Sequence, residues 1–377
     1  AAEPCESFMQ KKGAFAAIRV DGRVVSWGHA EDGGSSASVT SKLQLGAMQI
    51  FSAQHAFAVI KDDGSVVAWG RAEFGGDTSR VHSRLQSGVT CMCGSVGAFA
   101  AVKDDGSVVT WGSALEGGDS TSVSFELQSG VVRVYANANA FAAVKDDGSV
   151  VTWGRDPYGG DSTLVHGALR NGVVSISATA TAFAAIKDDG SVVTWGDNAN
   201  GGDSAAVESA LSIGVLQIAA TEGAFAAVRC DGSVVTWGNR VFGADSSEDH
   251  VSPELCSGIL KISASKGAFA AVKRGGSAVT WGRDLFGGDS RAVAEELLFG
   301  VVSVSASWHA FAALKDDGSV VTWGRPHAGG DSSRVANELR SSVRCVSGAA
   351  EAFAAIKADG SVVTWGNADR GGEATAW

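Results

Sequence analysis

At 377 residues the chain has room for two or three ordinary domains, and its 45% apolar and 19% charged content is that of an ordered globular protein. The net charge of −11 argues against a nucleic-acid footprint, which needs clustered lysine and arginine, and against anionic membrane surfaces. No stretch approaches the apolar length that spans a bilayer.

Length as a guide to domain number gives way to a repeat. A Trp-Gly pair falls at Trp27, Trp69, Trp111, Trp153, Trp195, Trp237, Trp281, Trp323 and Trp365, every step being 42 residues except one of 44 between Trp237 and Trp281. Nine copies therefore fill the chain, at about 4–45, 46–87, 88–129, 130–171, 172–213, 214–257, 258–299, 300–341 and 342–377. A period of this length marks a propeller, solenoid or array. Units so short cannot bury a core singly, so they must stack on neighbours, and the expectation is one repeat domain over 1–377.

Within one copy, 130–171, the elements come in a fixed order. "VVRVYA" alternates and is rich in β-branched residues, so it reads as a strand, and "AFAAVK" follows as a second. "KDDGS" places an Asp-Gly turn between two apolar runs, a strong hairpin signal, and "SVVTWG" is the third strand. Both strand faces are apolar, as sheets packed face to face require, and the alanines keep that packing close. In "GGDSTLVHGALRNG", Asp161 or Ser162 can cap a helix start, and Val165 and Leu169 would share one face. Gly172 can end the helix in a left-handed conformation. The unit is three antiparallel strands and a return segment that carries one short helix or helical turn. The first copy opens on a poorer first strand, "CESFMQ", and the last stops at "GGEATAW". The opening "AAEPCESF" lacks a methionine, as a processed or trimmed product would.

The pattern "GV..I.A....AFA.V..DGSVVTWG....GG" resembles the repeat of the regulator of chromosome condensation, a β-propeller family. The short period is similar to the compact three-stranded blades of a secreted bacterial β-lactamase inhibitor protein of that fold. WD40 repeats share the period, but the Trp-Asp dipeptide and its histidine partner are missing here. The resemblance implies an all-β, single β-propeller of nine blades. Nine copies exceed the family's usual seven, so a closed ring and an open superhelical array of the same blades both stay open. A propeller-fold photoreceptor's tryptophan cluster motif is not seen, and the blade tryptophans are expected to be structural.

Function is expected where copies differ. If the first strand of a blade runs up, the connection before "AF" and the four residues after Trp-Gly lie together at the top, and the constant Asp-Gly hairpin lies at the bottom. The four-residue segments run "HAED", "RAEF", "SALE", "RDPY", "DNAN", "NRVF", "RDLF", "RPHA" and "NADR". Phe74, Tyr158, Phe242 and Phe286 share their last position, either as contact residues or as packing for the blade. Trp308 and His309 stand out in the other connection. The leading expectation is a non-enzymatic scaffold that binds a protein partner through this face, without nucleic acid, membrane insertion or a small-molecule ligand. Alternatives are a structural subunit of a large intracellular or organellar assembly and, by family analogy, an enzyme inhibitor or a small-GTPase exchange factor. A lectin would need like loops in every copy.

No catalytic constellation stands out, and no cofactor is implied. His29, His55, His309 and His327 also fall at the top but lack any fixed ligand spacing, so no metal is expected. Cys91 and Cys93 form a lone C-x-C, and with Cys5, Cys230, Cys256 and Cys345 they make no repeating disulfide framework. Free thiols in a reducing intracellular or organellar compartment follow, with a Cys5–Cys345 bridge as the alternative at the seam. The insertion in the sixth copy, holding Asp245, Glu248, Asp249 and His250, reads as a solvated acidic loop.

Overall fold

A computed structural model describes residues 8–11, 14–19, 21–245 and 252–372, and in it the chain is all-β. Nine three-stranded sheets follow one another, each built from three consecutive strands in chain order. By its internal contacts the chain groups into two compact units, Ala1–Ala185 with Trp195–Asp197, and Ile186–Thr194 with Asn198–Trp377. Cys5, Glu248, Asp249 and His250 lie outside the described residues, as does the end of "GGEATAW".

The copy at 130–171 shows how the sequence makes a blade. Its strands are Val131–Ala136, Ala140–Lys145 and Val150–Gly154, paired antiparallel with Phe141 opposite Trp153. The hairpin closes through Lys145 N–H to Ser149 O at 2.9 Å and Gly148 N–H to Lys145 O at 2.9 Å. Asp147 accepts the Ser149 amide at 2.8 Å, and Gly148 takes the left-handed φ of 74° that the Asp-Gly turn demands.

Alternation along the middle strand explains why no blade stands alone. In "AFAAVK", Phe141 and Ala143 point toward the preceding blade and pack with Trp153 against Ala98, Ala100, Val102 and Val108. The same arrangement unites the second and third blades and, in the other unit, the sixth with the seventh and the seventh with the eighth. Each core thus belongs to two blades. Phe141 and Trp153 stack at 5.3 Å between ring centroids, and a buried phenylalanine contributes about 1.5–3 kcal/mol. The alanines are small because a large ring from the next blade occupies the space above them.

The indole N–H of each blade tryptophan adds a directed link. Trp153 Nε1 donates to Gly117 O at 2.9 Å, and Trp69, Trp111, Trp195, Trp237, Trp323 and Trp365 bond the glycine thirty-six residues earlier in the same way. Trp281 departs from this: its Nε1 is buried without a partner among the described residues, at the chain's one 44-residue step. Trp27 is 37% exposed, unlike the others.

Of the expected short helix or helical turn, the return segment takes mainly the turn. It forms 3-10 turns, such as Thr163–Val165, and among the described residues only Glu208–Leu211 is α-helical. Three or four residues do not suffice to propagate an α-helix, so the tighter turn is favoured. Asp161 does cap this turn, accepting Thr163 N–H at 2.8 Å, and Gly172 ends the segment at a φ of 74°. Leu169 is buried, whereas Val165 is half-buried. A second 3-10 turn, Asp156–Tyr158, occupies the loop after Trp-Gly and ends on Gly159 at φ 96°. Cys91 and Cys93 are half-buried on one strand, where burial pushes the Cys91 thiol up, and Cys345 is exposed.

Candidate functional site

The two variable connections of a blade meet at one end. The residue after Trp-Gly donates its N–H to the residue before the middle strand in copy after copy: Arg71 to His55 at 2.9 Å, Ser113 to Gly97 at 2.8 Å, Arg283 to Gly267 at 2.9 Å, Arg325 to His309 at 2.9 Å. The Asp-Gly hairpins lie at the opposite end of the strands.

Backbone bonds hold this variable end together across blades. In the first unit Gln54 N–H bonds Val96 O at 2.7 Å, Val96 bonds Ala138 at 3.0 Å, and Ala138 bonds Ala180 at 3.1 Å. In the second unit Glu222 bonds Lys266 at 2.9 Å, Lys266 bonds Trp308 at 3.0 Å, and Trp308 bonds Ala350 at 3.0 Å. A buried polar side chain then fastens the other loop. Asn137 donates to Tyr158 O at 2.6 Å, Ser265 to Phe286 O at 2.8 Å and Ser307 to Ala328 O at 2.9 Å. These small polar residues were not singled out from sequence, although a serine, threonine or asparagine recurs at that position.

Side chains interleave in register with this framework. The last loop residue of one blade sits between the residues preceding the middle strands of its own and the next blade. A Cβ at Gly267 would lie 3.1 Å from Phe286 and 3.6 Å from Phe242, so glycine is what admits two aromatic rings there. Where Ala328 is small, the neighbour is His309, which stacks on Phe286 at 4.8 Å. Burial and then the Arg325 guanidinium push the His309 pKa down, and its buried Nδ1 has no hydrogen-bond partner. Lys266 lies over the Trp308 ring at 4.2 Å and pairs with Glu222 at 2.8 Å. Arg155 lies over Tyr158 at 5.0 Å.

In the first unit, Asp32 is buried at the same interleaved position. Its carboxylate is 2.7 Å from His55 Nδ1, 3.2 Å from His29 Nδ1 and 3.2 Å from Arg71 Nε, while Phe74 packs edge-on against His55 at 4.6 Å. His29 and His55 therefore share one carboxylate, whereas His327 is exposed in the second unit.

All six side chains selected from sequence are half-buried. Phe74, Phe242 and Phe286 pack on the blade cores. The side chains that project furthest stand one position earlier in the loop: Leu115 is 73% exposed, Val241 57% and Leu285 63%. Arg240 precedes Val241, and Arg283 lies over Phe286 at 5.2 Å.

Comparison with known proteins places the repeat. Residues 173–201 match the regulator of chromosome condensation (RCC1) repeat. Prp20p from Saccharomyces cerevisiae, in a crystal structure concerned with its binding to Gsp1p and histones, superposes with a TM-score of 0.43 at 17% identity over 70% of this chain and 81% of that one. The ectodomain of the receptor kinase CR4 from Physcomitrella patens gives 0.40 at 14% identity, over 72% of this chain and 70% of the other. Human WBSCR16 gives 0.40 at 15% identity, over 93% and 86%. No curated protein matches the chain by sequence. No helix among the described residues is long and apolar enough to cross a membrane. The glycine, Asp-Gly and Trp-Gly framework of the matched segment recurs along the chain, so its three-stranded blades are built on repeats similar to that of the regulator of chromosome condensation.

Proposed function

We propose that the chain is a non-enzymatic scaffold that docks a protein partner through the variable end of its blades. The observation that carries this reading is a backbone pinned by main-chain hydrogen bonds, on which side chains change from blade to blade. A rigid backbone bearing diverse exposed groups suits recognition, since little ordering entropy is spent on association. In the second unit Val241 and Leu285 would supply apolar anchors, Arg240 and Arg283 would supply charge, and Trp308 would present its ring edge. Phe242, Phe286 and His309 would act mainly by setting the height of those neighbours; in the first unit Leu115 and Tyr158 take the corresponding roles, beside Phe74.

The reading is tested by cross-linking mass spectrometry on complexes captured with the intact chain, beside a Val241→Asp, Leu285→Asp double variant. Cross-links at the variable loops that disappear in the variant, with blade fluorescence unchanged, are the expected result. Cross-links unaffected by the double substitution, or confined to the hairpin end, would overturn it.

A further inference from the structure

The hairpin end of the blades carries a second surface of a different kind. In most blades the second residue of the first strand sits in a β-bulge; in the blade at 130–171 the register shifts between Val131 and Arg133. A bulge turns its side chain away from the sheet's regular faces. Val132 is consequently 56% exposed, and Val174, one repeat on, is 57% exposed. The same position is an exposed apolar residue at Met48 in the first unit and at Leu216, Leu260 and Val302 in the second. Valine and leucine at a position with no packing role are a row of exposed apolar groups that the fold itself does not need.

The backbone places this row among carboxylates. Val131 N–H donates to Gly106 O at 3.0 Å, so Val132 stands beside the turn of Asp104 and Asp105. Asp146 N–H donates to Gly130 O at 2.8 Å, which sets Asp146 and Asp147 on its other side. Val173 N–H donates to Gly148 O at 3.0 Å, bringing Val174 against that second turn as well. All four aspartates are exposed. Lys145, which donates to Glu126 O at 3.1 Å on the return segment, lies beside this turn and offsets one of its two charges, so the turn keeps a net negative charge. Two carboxylates per turn therefore flank each apolar side chain.

We infer that the hairpin end, around Val132, Val174 and the turns at Asp104–Asp105 and Asp146–Asp147, docks a cationic amphipathic polypeptide segment. Charge complementarity selects the occupant: an acidic partner or a phosphate backbone would be repelled, and a purely apolar one would leave the carboxylates without counter-charge. The apolar row asks for interspersed apolar side chains, which a simple polycation lacks. This surface is independent of the variable end and lies at the other end of the same strands.

The test is fluorescence anisotropy with the intact chain and three labelled peptides: alternating lysine and leucine, oligolysine of equal charge, and alternating glutamate and leucine. The lysine–leucine peptide is expected to bind most tightly and to weaken as salt rises. Val132→Ser with Val174→Ser, and separately Asp104→Asn with Asp146→Asn, should each lower its affinity roughly tenfold. These positions are exposed, so the blades remain folded, which the blade-tryptophan fluorescence verifies. The Val241→Asp, Leu285→Asp variant at the variable end should bind the peptide normally. Equal binding of oligolysine, preference for the glutamate peptide, or indifference to the valine pair would each overturn the proposal.

Discussion

Trp153→Phe and Trp281→Phe form a matched pair that isolates the inter-blade indole bond. Both tryptophans are 2% exposed, and both stack on the blade phenylalanine, at 5.3 Å for Phe141 and 5.2 Å for Phe269. Both substitutions replace an indole by a smaller ring in the same kind of site, so the packing loss largely cancels. They differ in one respect. Trp153 donates to Gly117 O at 2.9 Å, while Trp281 Nε1 is buried and unpartnered among the described residues. Trp153→Phe therefore strips a buried carbonyl of its donor, at about 1–3 kcal/mol, whereas Trp281→Phe removes an already unsatisfied donor. The variants should separate by about that amount, with Trp281→Phe the milder. Urea midpoints and slopes by far-ultraviolet dichroism measure the gap, provided the slopes agree, since long repeat arrays can lose cooperativity. Equal destabilisation by the two substitutions would show that ring packing alone fixes blade stacking and would refute the argument.

Three further outcomes are expected. Gly159→Ala should destabilise by about 2–5 kcal/mol, because φ is 96° and the new Cβ would lie 2.6 Å from Phe183 Cδ2, while Gly167→Ala, with nothing within 4 Å, should be neutral or mildly stabilising; thermal melts compare them. Asp32→Ala should cost about 3–5 kcal/mol by leaving His55 without its buried hydrogen-bond partner and Arg71 and His29 without their counter-charge, and hydrogen exchange should report the loosening at the loops bearing His29 and His55. In the hairpins, the hydroxyl and then the amide of the serine two residues on hold Asp63, Asp105, Asp147, Asp189, Asp231, Asp317 and Asp359 below the ordinary carboxylate range. A carboxyl depressed in the fold contributes stability that is complete above its unfolded value of 3.8 and is lost as pH falls through the lower folded values. Melting temperature should then be insensitive to these groups near neutrality and drop below about pH 4; a decline beginning near pH 6 would point to other groups.

The blade was readable because its determinants are local. "AFAAVK" alternates two facing surfaces, Asp-Gly supplies the turn, and each recurs at a fixed spacing. What escaped was set by atoms that no side chain reports or by residues far apart in the chain. Val132 looks like core in an apolar strand, yet a one-residue bulge turns it outward. The aromatic residues of the variable loops stood out as candidates, but Phe286 settles half-buried because Gly267, in a different connection, leaves it room and His309 of the next blade stacks on it. Asp32 and His55 lie twenty-three residues apart in different blades, and only the stacking of those blades brings them within 2.7 Å. The short return segments read as helical from their caps, and so they are locally, but they end before an α-helix can grow. Comparing loop columns blade against blade, small opposite large, is the signal that could have exposed the interleaving.

The ladder running through Gln54, Val96, Ala138 and Ala180, and its counterpart through Glu222, Lys266, Trp308 and Ala350, is drawn entirely with main-chain atoms. Its rungs are indifferent to whether the residue is glutamine, valine, alanine, glutamate, lysine or tryptophan. Nineteen residue types can supply the donor each rung needs; proline alone cannot, and none of the chain's four prolines stands at any of these positions. Diversification of this surface is thereby uncoupled from folding: a library randomised at these eight sites, with proline withheld, would sample recognition chemistry while the architecture beneath it stays constant.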